Sequence, residues 1–167
     1  MRNLEYKARI VAPQSIMATA LALGADLWGD LRQTDTYFAV SHGRLKLRET
    51  VGRQGELIYY ERDEAAADRP SDYTVAYIPD PAPVREALAS AFGVLAVVKK
   101  RRTLLILDTA RVHLDNVEGL GHFVEIEAPV KEDEAQTRQR LDSLLEALGL
   151  DCGDCIRSSY ADLIGDQ

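Results

Sequence analysis

Charged and apolar residues alternate along several short segments of this chain, and no other feature constrains its fold as strongly. Near the N-terminus, "NLEYKARI" has a charged or amide side chain at every second position, with apolar or aromatic side chains between them. "GRLKLRE" repeats the pattern further along the chain. A period of two places successive side chains on opposite faces of a β-strand. We therefore predict strands that each have one charged face and one apolar face.

The same reading along the whole chain predicts about eight strands and three or four helices. The predicted strands are "NLEYKARIV", "TDTYFAV", "GRLKLRET", "LIYYER", "YTVAYI", "VLAVVKKRRTLLILDT", "ARVHLDNV" and "GHFVEIEAP". The predicted helices are "PQSIMATALALGADL", "DPAPVREALASAFG", "KEDEAQTRQRLDSLLEALG" and a short closing helix in "SSYADLI". Because short turns join most strands, the sheet should be largely antiparallel. The predicted fold class is α+β. If the strands close into an eight-stranded antiparallel β-barrel flanked by helices, their charged faces point inward and give a polar lumen.

Length and composition exclude several classes of protein. The chain has 167 residues, 46% of them hydrophobic, which fits one domain spanning residues 1–167. Its formal net charge of -7 argues against non-specific nucleic-acid binding. No apolar run approaches the ~20 residues of a membrane span, and charges stand where a signal peptide needs an apolar stretch. We therefore expect a cytoplasmic protein without nucleic-acid or membrane partners.

The charged strand faces are unusual because cations outnumber acids on them. Same-face neighbours lie ~6.6 Å apart, where two cations repel by roughly 2.5 kcal/mol at an effective dielectric of about 20. A surplus of lysine and arginine in one lumen therefore predicts a multivalent anion, and polyphosphate suits arginine forks and lysine charges best. Acids beside such an anion indicate a divalent metal, because Mg²⁺ or Mn²⁺ binds carboxylates and phosphate oxygens together.

Eight short motifs in their order along the chain resemble the CYTH superfamily, the triphosphate tunnel metalloenzymes. This superfamily includes adenylyl cyclases of the fourth class and thiamine triphosphatases, and the overall likeness is closest to the cyclase-like subgroup. The motifs are "NLEYK", "QTDTYF", "GRLKLRE", "YYERDE", "VVKKRR", "LD" at 114–115, "GLGHFVEIE" and "SSYADLI". The resemblance implies a tunnel-shaped barrel and a small-molecule triphosphate as substrate: tripolyphosphate, ATP or thiamine triphosphate. Whether the chain forms a homodimer stays open.

The resemblance also implies roles for individual residues by motif position. It implies catalytic roles for Glu5, Lys7, Glu125 and Glu127. It implies that the substrate is bound by Lys7, Lys46, Arg48, Arg62, Lys100 and Arg102. It implies that Mg²⁺ or Mn²⁺ is held by Glu5, Asp115, Glu125 and Glu127. The intervening residues Lys99 and Arg101 are expected to face outward.

One position departs from the family pattern: Asn3 stands where many members have the first glutamate of the N-terminal signature. An amide can coordinate a metal, but it carries no charge and cannot act as a base. Two reactions fit the charged constellation: hydrolysis of a triphosphate, and cyclisation of ATP to cyclic AMP and pyrophosphate. The alternative from another class is a non-catalytic module that binds polyphosphate or nucleotide, in which the change at Asn3 marks lost chemistry.

For the two cysteines, one histidine and one further arginine, the sequence predicts a location but no role in the site. Cys152 and Cys155, in "DCGDC", have the spacing of half a zinc site or a redox pair, but a zinc site needs two more ligands and the histidines are scattered, so a surface loop is expected. His113 shares strand parity with Asp115 and can reach the lumen, although a histidine satisfied by a backbone group is commoner. Arg44, close to a turn, is expected only at the mouth.

Overall fold

The computed structural model describes residues 3–61, 72–130 and 133–166, which fold into one sheet and four α-helices. The strands are β1 Asn3–Arg9, β2 Asp26–Phe38, β3 Arg44–Thr50, β4 Gly55–Glu61, β5 Asp72–Ile78, β6 Val94–Leu107, β7 Ala110–Val117 and β8 Gly121–Pro129. The helices are α1 Pro13–Ala22, α2 Pro81–Phe92, α3 Glu134–Ala147 and α4 Tyr160–Gly165, with a single 3-10 turn at Cys152–Asp154. The predicted α+β class is confirmed.

All seven pairings in the sheet are antiparallel, in the order β1-β8-β7-β6-β2-β3-β4-β5. The sheet is curled into a half-barrel. A side-chain hydrogen bond joins Tyr73 on β5 to Arg111 on β7, although four strands lie between β5 and β7 in the sheet. Only strong curvature brings these side chains together, so the concave face encloses an interior.

Local sequence signals set the helix ends. Both α1 and α2 begin with a proline, whose missing amide proton would have no partner in the first turn. Gly93 ends α2 with a φ of 78°, a left-handed conformation that glycine adopts without strain. Ser159 and Asp162 form a reciprocal capping box at the start of α4. These signals are local, which is why the sequence predicted the helices well.

The larger apolar core lies on the convex face of the sheet, under α1 and α3. Leu4, Tyr6 and Ala8 of β1 contribute to it, as the alternation in "NLEYKARI" predicts. Strands β6, β7 and β8 add further buried residues, and Leu141 and Leu145 of α3 cover them. Because these apolar side chains take the convex face, the alternating polar side chains of the same strands must point into the concave interior.

A second apolar cluster lies at one end of the concave face. It joins strand residues to α4: Tyr37, Val98, Val117, Leu120, Phe123, Tyr160 and Ala161. The ring of Phe123 meets that of Tyr160 edge to face, with centroids 4.9 Å apart. The charged part of the interior is therefore closed at one end by apolar packing against the C-terminal helix.

The structure departs from the predicted elements mainly in β2. This strand begins at Asp26, well before the predicted segment "TDTYFAV", and pairs with β6 through a bulge between Leu27 and Gly29. Its first half lacks strict alternation and carries exposed apolar residues, so the period of two was hidden there. None of the described helices is both long and apolar enough to cross a membrane.

Candidate functional site

The strand register assembles the predicted acids and bases on neighbouring positions. Glu5 of β1 lies opposite Glu127 of β8, and Lys7 lies opposite Glu125. On the other side of β8, His113 of β7 is the partner of Glu125. These side chains share the concave face because residues two apart on a strand point the same way.

Asp35 of β2 is the centre of a buried cluster of cations. Its Oδ2 accepts hydrogen bonds from the ammonium groups of Lys46 and Lys100, each at 3.1 Å. Arg48 binds the same carboxylate with two nitrogens, at 2.8 and 2.9 Å. Burial alone would raise the pKa of Asp35, but Arg48, Lys100 and Lys46 outweigh it and hold that pKa well below its usual value. One carboxylate therefore serves three cations.

Lys100 is the most deeply buried amine of this cluster, with 2% of its side chain exposed. Burial lowers its pKa to about 7, although the carboxylate of Asp35 acts in the opposite direction. Arg102 and Arg48, which are also cationic, lower it further. An additional negative charge placed beside Lys100 would favour its protonated, charged form.

Arg102 of β6 links the cation cluster to the acids of β7 and β8. Its guanidinium donates to both oxygens of Asp115, at 2.7 and 2.6 Å, and also contacts the carboxylate of Glu125. The hydroxyl of Tyr160 donates to Asp115 as well, at 2.8 Å. Asp115 thus holds both Arg102 and the C-terminal helix in place.

Three carboxylates line one pocket at the β1 and β8 edge. Glu5, Glu125 and Glu127 share its wall with Lys7. The ammonium of Lys7 lies 3.0 Å from Glu125, and Glu127 pairs with Arg111 at 2.7 Å. Burial would raise the pKa of Glu125, but Lys7 and Arg102 outweigh it and hold that pKa well below its usual value. The pKa of Glu127 is also lowered, because His113 and Arg111 outweigh its burial, so Glu125 and Glu127 are ionised at neutral pH.

His113 lies between two of these acids with a nitrogen that has no hydrogen-bond partner. Its Nδ1 is buried, 3.8 Å from an oxygen of Glu127 and 4.0 Å from an oxygen of Glu125, beyond hydrogen-bond reach. Burial, aided by Arg102, lowers the pKa of His113 to about 3. The imidazole is therefore neutral at physiological pH, and the expectation of a satisfied histidine is not met at Nδ1.

The C-terminal segment closes over Lys7 and Lys100. The ring of Tyr160 lies with its centroid 4.4 Å from the ammonium of Lys7 and 5.4 Å from that of Lys100. Lys7 also donates to the carbonyl oxygen of Ser158, at 3.3 Å. Arg44, expected only at the mouth, forms a two-bond ion pair with Asp162 and so ties β3 to α4. These contacts hold α4 and the residues just before it against β1, β3 and β6.

Most of the residues predicted for the site converge on this interior. The structure brings together nine of the ten: Glu5, Lys7, Lys46, Arg48, Lys100, Arg102, Asp115, Glu125 and Glu127. Arg62 lies outside the described residues. Lys99 and Arg101 are exposed, as expected for the outer face of β6.

Sequence reasoning missed Asp35 as a member of the site. The residue is quoted within "QTDTYF", but that segment lacks the charged alternation that drew attention to the other strands. The available signal was strand parity, which places Asp35 on the same face as Gln33 and Tyr37. In the structure all three side chains are buried. With Asp35 included, the predicted surplus of cations is smaller than the sequence reading indicated.

The donors at the β1 and β8 edge fit a divalent metal. Carboxylate oxygens are hard ligands, and the buried Nδ1 of His113 leaves a donor or lone pair unused beside two of them. Among the described residues, no three His, Cys, Asp or Glu side chains stand close enough to hold an ion on their own. Proteins commonly bind Mg²⁺ through one or two carboxylates, with phosphate oxygens of the substrate completing the shell.

Comparison with known proteins decides the family. The family model described as the CYTH domain matches residues 1–160. This chain belongs to the CYTH domain family. No protein with a curated description is similar enough in sequence to be matched.

Solved CYTH-like structures show the same fold along nearly the whole chain. The PH1012 protein of Pyrococcus horikoshii is 25% identical, with a TM-score of 0.87 and coverage of 96% of this chain and 98% of its own. A candidate adenylate cyclase of Vibrio parahaemolyticus is 20% identical, with a TM-score of 0.83 and coverage of 99% and 98%. A candidate adenylyl cyclase of Hippeastrum, described as having a dominant triphosphatase activity, is 16% identical, with a TM-score of 0.70 and coverage of 98% and 95%. The half-barrel described above is thus the fold of a CYTH domain.

Proposed function

We propose that this protein is a divalent-metal-dependent enzyme that hydrolyses a small-molecule triphosphate held in the interior of the half-barrel. The observation that carries the proposal is the sharing of Asp35 by Lys46, Arg48 and Lys100. One carboxylate does not neutralise three cations, so the cluster keeps a net positive charge in a buried place, where charge is costly. A polyanion with closely spaced charges offsets this excess, and a phosphate chain is such an anion.

Asp35 positions the cations without neutralising all of them. Its two bonds to Arg48 orient the guanidinium, and the amines of Lys46 and Lys100 meet at the same oxygen. Lysine ammonium groups act as point charges toward phosphate, while an arginine grips two oxygens at once. These three side chains are proposed to bind phosphate groups of the substrate, with Arg102 extending the row toward β8.

Glu5, Asp115, Glu125 and Glu127 are proposed as the acids that bind Mg²⁺ or Mn²⁺, one or two of them at a time, with phosphate oxygens of the substrate completing the shell. When bound, the ion neutralises developing charge and polarises a phosphoryl group. Lys7 and Arg111 pair with two of these carboxylates and help to keep them ionised. A phosphate chain with one end at the metal and the other at the cation cluster would lie between the acids of β8 and the cations of β3 and β6.

Asn3 argues for a reaction that depends on positioning and charge. The residue is buried, with 3% exposed, and its amide cannot accept a proton from water at neutral pH. Phosphoryl transfer passes through a loose transition state that needs mainly alignment and electrostatic stabilisation. The proposed mechanism therefore assigns no proton transfer to this position, and the lysines and arginines carry the transition-state charge.

The test is a panel of tripolyphosphate, ATP and thiamine triphosphate, each with Mg²⁺ or Mn²⁺, with products separated into phosphate, pyrophosphate and cyclic nucleotide. We expect phosphate release that Glu127→Gln lowers at least about a hundredfold, as for loss of a group that stabilises the transition state. Glu146→Gln is the control, because Glu146 is an exposed acid on α3.

Other products point to the alternatives. Cyclic AMP with pyrophosphate identifies an adenylyl cyclase that uses the same charged interior. Tight binding of tripolyphosphate without turnover under any condition favours the non-catalytic module. A Glu127→Gln variant as active as the Glu146→Gln control would overturn the proposed metal site.

A further inference from the structure

The proposed function gives no role to Cys152, which begins the short 3-10 turn before α4, or to Cys155, which directly follows that turn. Both are exposed free thiols. The amide of Cys155 donates to the carbonyl oxygen of Cys152, at 3.4 Å. Residues that close such a turn have Cα atoms less than about 7 Å apart, and disulfides join residues whose Cα atoms are about 4.4 to 6.8 Å apart. The backbone thus holds both cysteines at a separation that a disulfide can span.

The cysteine turn is fastened to β1 at both ends. The hydroxyl of Tyr6 donates to the carbonyl oxygen of Asp151, at 2.8 Å, just before the first cysteine. The amide of Ile156 donates to the carbonyl oxygen of Lys7, at 2.7 Å, just after the second. Two consecutive residues of β1 therefore bracket the turn, and a change in its conformation acts directly on the strand that carries Glu5 and Lys7.

The turn also forms part of the site itself. Cys155 and Ile156 line the same pocket as Glu5, Glu125 and Glu127. Because Cys155 is part of the wall of this pocket, moving Cys155 changes the shape of the pocket that the carboxylates share. No other pair of thiols is available, because the sequence contains two cysteines.

We infer that Cys152 and Cys155 form a reversible dithiol–disulfide couple that tunes the neighbouring pocket. The couple and its effect on β1 follow from the geometry of the turn, whereas the effect on a phosphate ligand rests on the proposed function. The reduced form has the pocket wall described above. In the oxidised form, Cys155 turns toward Cys152, and the peptide that follows it shifts relative to Lys7.

The reaction partner is a low-molecular-weight disulfide such as oxidised glutathione. The thiolate of one cysteine attacks a glutathione sulfur, forms a mixed disulfide and releases one glutathione thiolate. The second cysteine then attacks the protein sulfur of the mixed disulfide, forms the intramolecular bond and releases the second glutathione. The cysteine pair loses two electrons and two protons, and the glutathione disulfide is reduced to two thiols. Excess reduced glutathione reverses both steps.

Oxidation is expected to weaken the bond between the Ile156 amide and Lys7, and with it the binding of phosphate. We expect exchange of the Ile156 amide to become at least about tenfold faster in the oxidised form, and the Kd for tripolyphosphate to rise about five- to tenfold. Binding and oxidation must be coupled equally in both directions. Tripolyphosphate should therefore shift the reduction potential of the pair to a more positive value, by about 30 mV for a tenfold difference in Kd.

The experiment equilibrates the full chain in glutathione buffers of graded ratio. Mass spectrometry after alkylation counts the thiols, amide exchange at Ile156 reports the contact with β1, and calorimetry gives the Kd for tripolyphosphate in each form. Cys152→Ser is the matched control, which cannot close the ring and does not change a residue of the pocket wall. We expect the wild-type chain to lose the mass of two hydrogen atoms and to show all three changes, and Cys152→Ser to bind like the reduced form throughout.

Three outcomes would overturn the inference: stable mixed disulfides without ring closure, a ring that leaves Ile156 exchange unchanged, or a Cys152→Ser variant that responds to oxidation as the wild-type chain does. Faster Ile156 exchange on ring closure, with no tripolyphosphate binding by either form, supports the couple and counts against the proposed function. Binding that differs less than twofold between the two forms overturns the tuning of the pocket while leaving the proposed function intact.

Discussion

The ammonium of Lys100 on β6 and the carboxylate of Asp35 on β2 lie 3.1 Å apart, and both side chains are almost completely buried. Lys46 and Arg48 contact the same carboxylate. Removing the charge of Asp35 therefore leaves three cations close together in a medium that screens them poorly. The pair is a structural element of the half-barrel and, in the proposed function, part of the phosphate-binding cluster.

Asp35→Asn is expected to lower the free energy of unfolding by about 3 to 5 kcal/mol, the usual cost of breaking a buried ionic cluster. Urea denaturation measures this loss. Saturating tripolyphosphate should restore part of it, because a ligand that binds the folded state stabilises it. Asp30→Asn is the control on the same strand, since Asp30 pairs with Arg101 on the exposed face and should change stability little. Equal losses in both variants would contradict the role of Asp35.

How much of this site the sequence can predict depends on whether its signal is local. The alternation in β1, β3, β7 and β8 predicts which side chains face inward, because strand parity needs only neighbouring residues. It cannot predict that Asp35, from a strand with a weaker pattern, lies beneath Lys46 and Lys100, because that contact depends on how β2, β3 and β6 are paired. The engagement of Asp115 by Tyr160 likewise depends on where α4 docks.

Lys100 should make anion binding depend on pH near neutrality. With a pKa of about 7, its amine is charged below pH 7 and loses its proton above it. A bound polyanion favours the ammonium, so binding raises this pKa and takes up a proton at pH 7.5 to 8. We expect the affinity for tripolyphosphate to fall as pH rises from 7, by up to about tenfold per pH unit.

Calorimetry in buffers of different ionisation enthalpy measures that proton uptake directly. Lys100→Arg is the matched variant, because a guanidinium stays charged throughout this range. Protonation of the ligand itself is common to both proteins and cancels in the comparison. Identical pH profiles for the wild-type chain and Lys100→Arg would show that Lys100 does not titrate on binding.

Tyr160 is expected to stabilise the closed end of the interior through its hydroxyl as well as its ring. The hydroxyl donates to the buried carboxylate of Asp115, at 2.8 Å. Tyr160→Phe removes one hydrogen bond to a charged group and should cost about 1.5 to 3 kcal/mol of stability. Tyr160→Ala also leaves a cavity beside Phe123 and should cost about 3 to 5 kcal/mol. Urea denaturation checks both values, and Tyr77→Phe, at a residue that is 68% exposed, should be neutral. A Tyr160→Phe variant as stable as the wild-type chain would rule out the hydroxyl contribution.

The buried ionisable groups of the interior should make the fold sensitive to acid. The folded state holds the pKa of His113 at about 3, mainly through burial, whereas an unfolded histidine titrates near pH 6.5. Between these values the unfolded chain binds more protons, so stability falls as pH falls from about 6.5 toward 3. The pKa values of Asp35 and Glu125 are held low by neighbouring cations, so their contribution is also lost in acid, below pH ~4.

His113→Leu separates the histidine from the carboxylates. The variant removes a buried nitrogen without a hydrogen-bond partner, so it should be about as stable as the wild-type chain at pH 7. At pH 4.5 it should be more stable than the wild-type chain by about 2.7 kcal/mol, because it has no imidazole for the unfolded state to protonate. Urea denaturation across this range, in the presence of a chelator, measures the difference. His122→Gln, at an exposed position on β8, should follow the wild-type curve. A constant difference between His113→Leu and wild type from pH 7 to 4.5 would mean that the imidazole titrates alike in the folded and unfolded states.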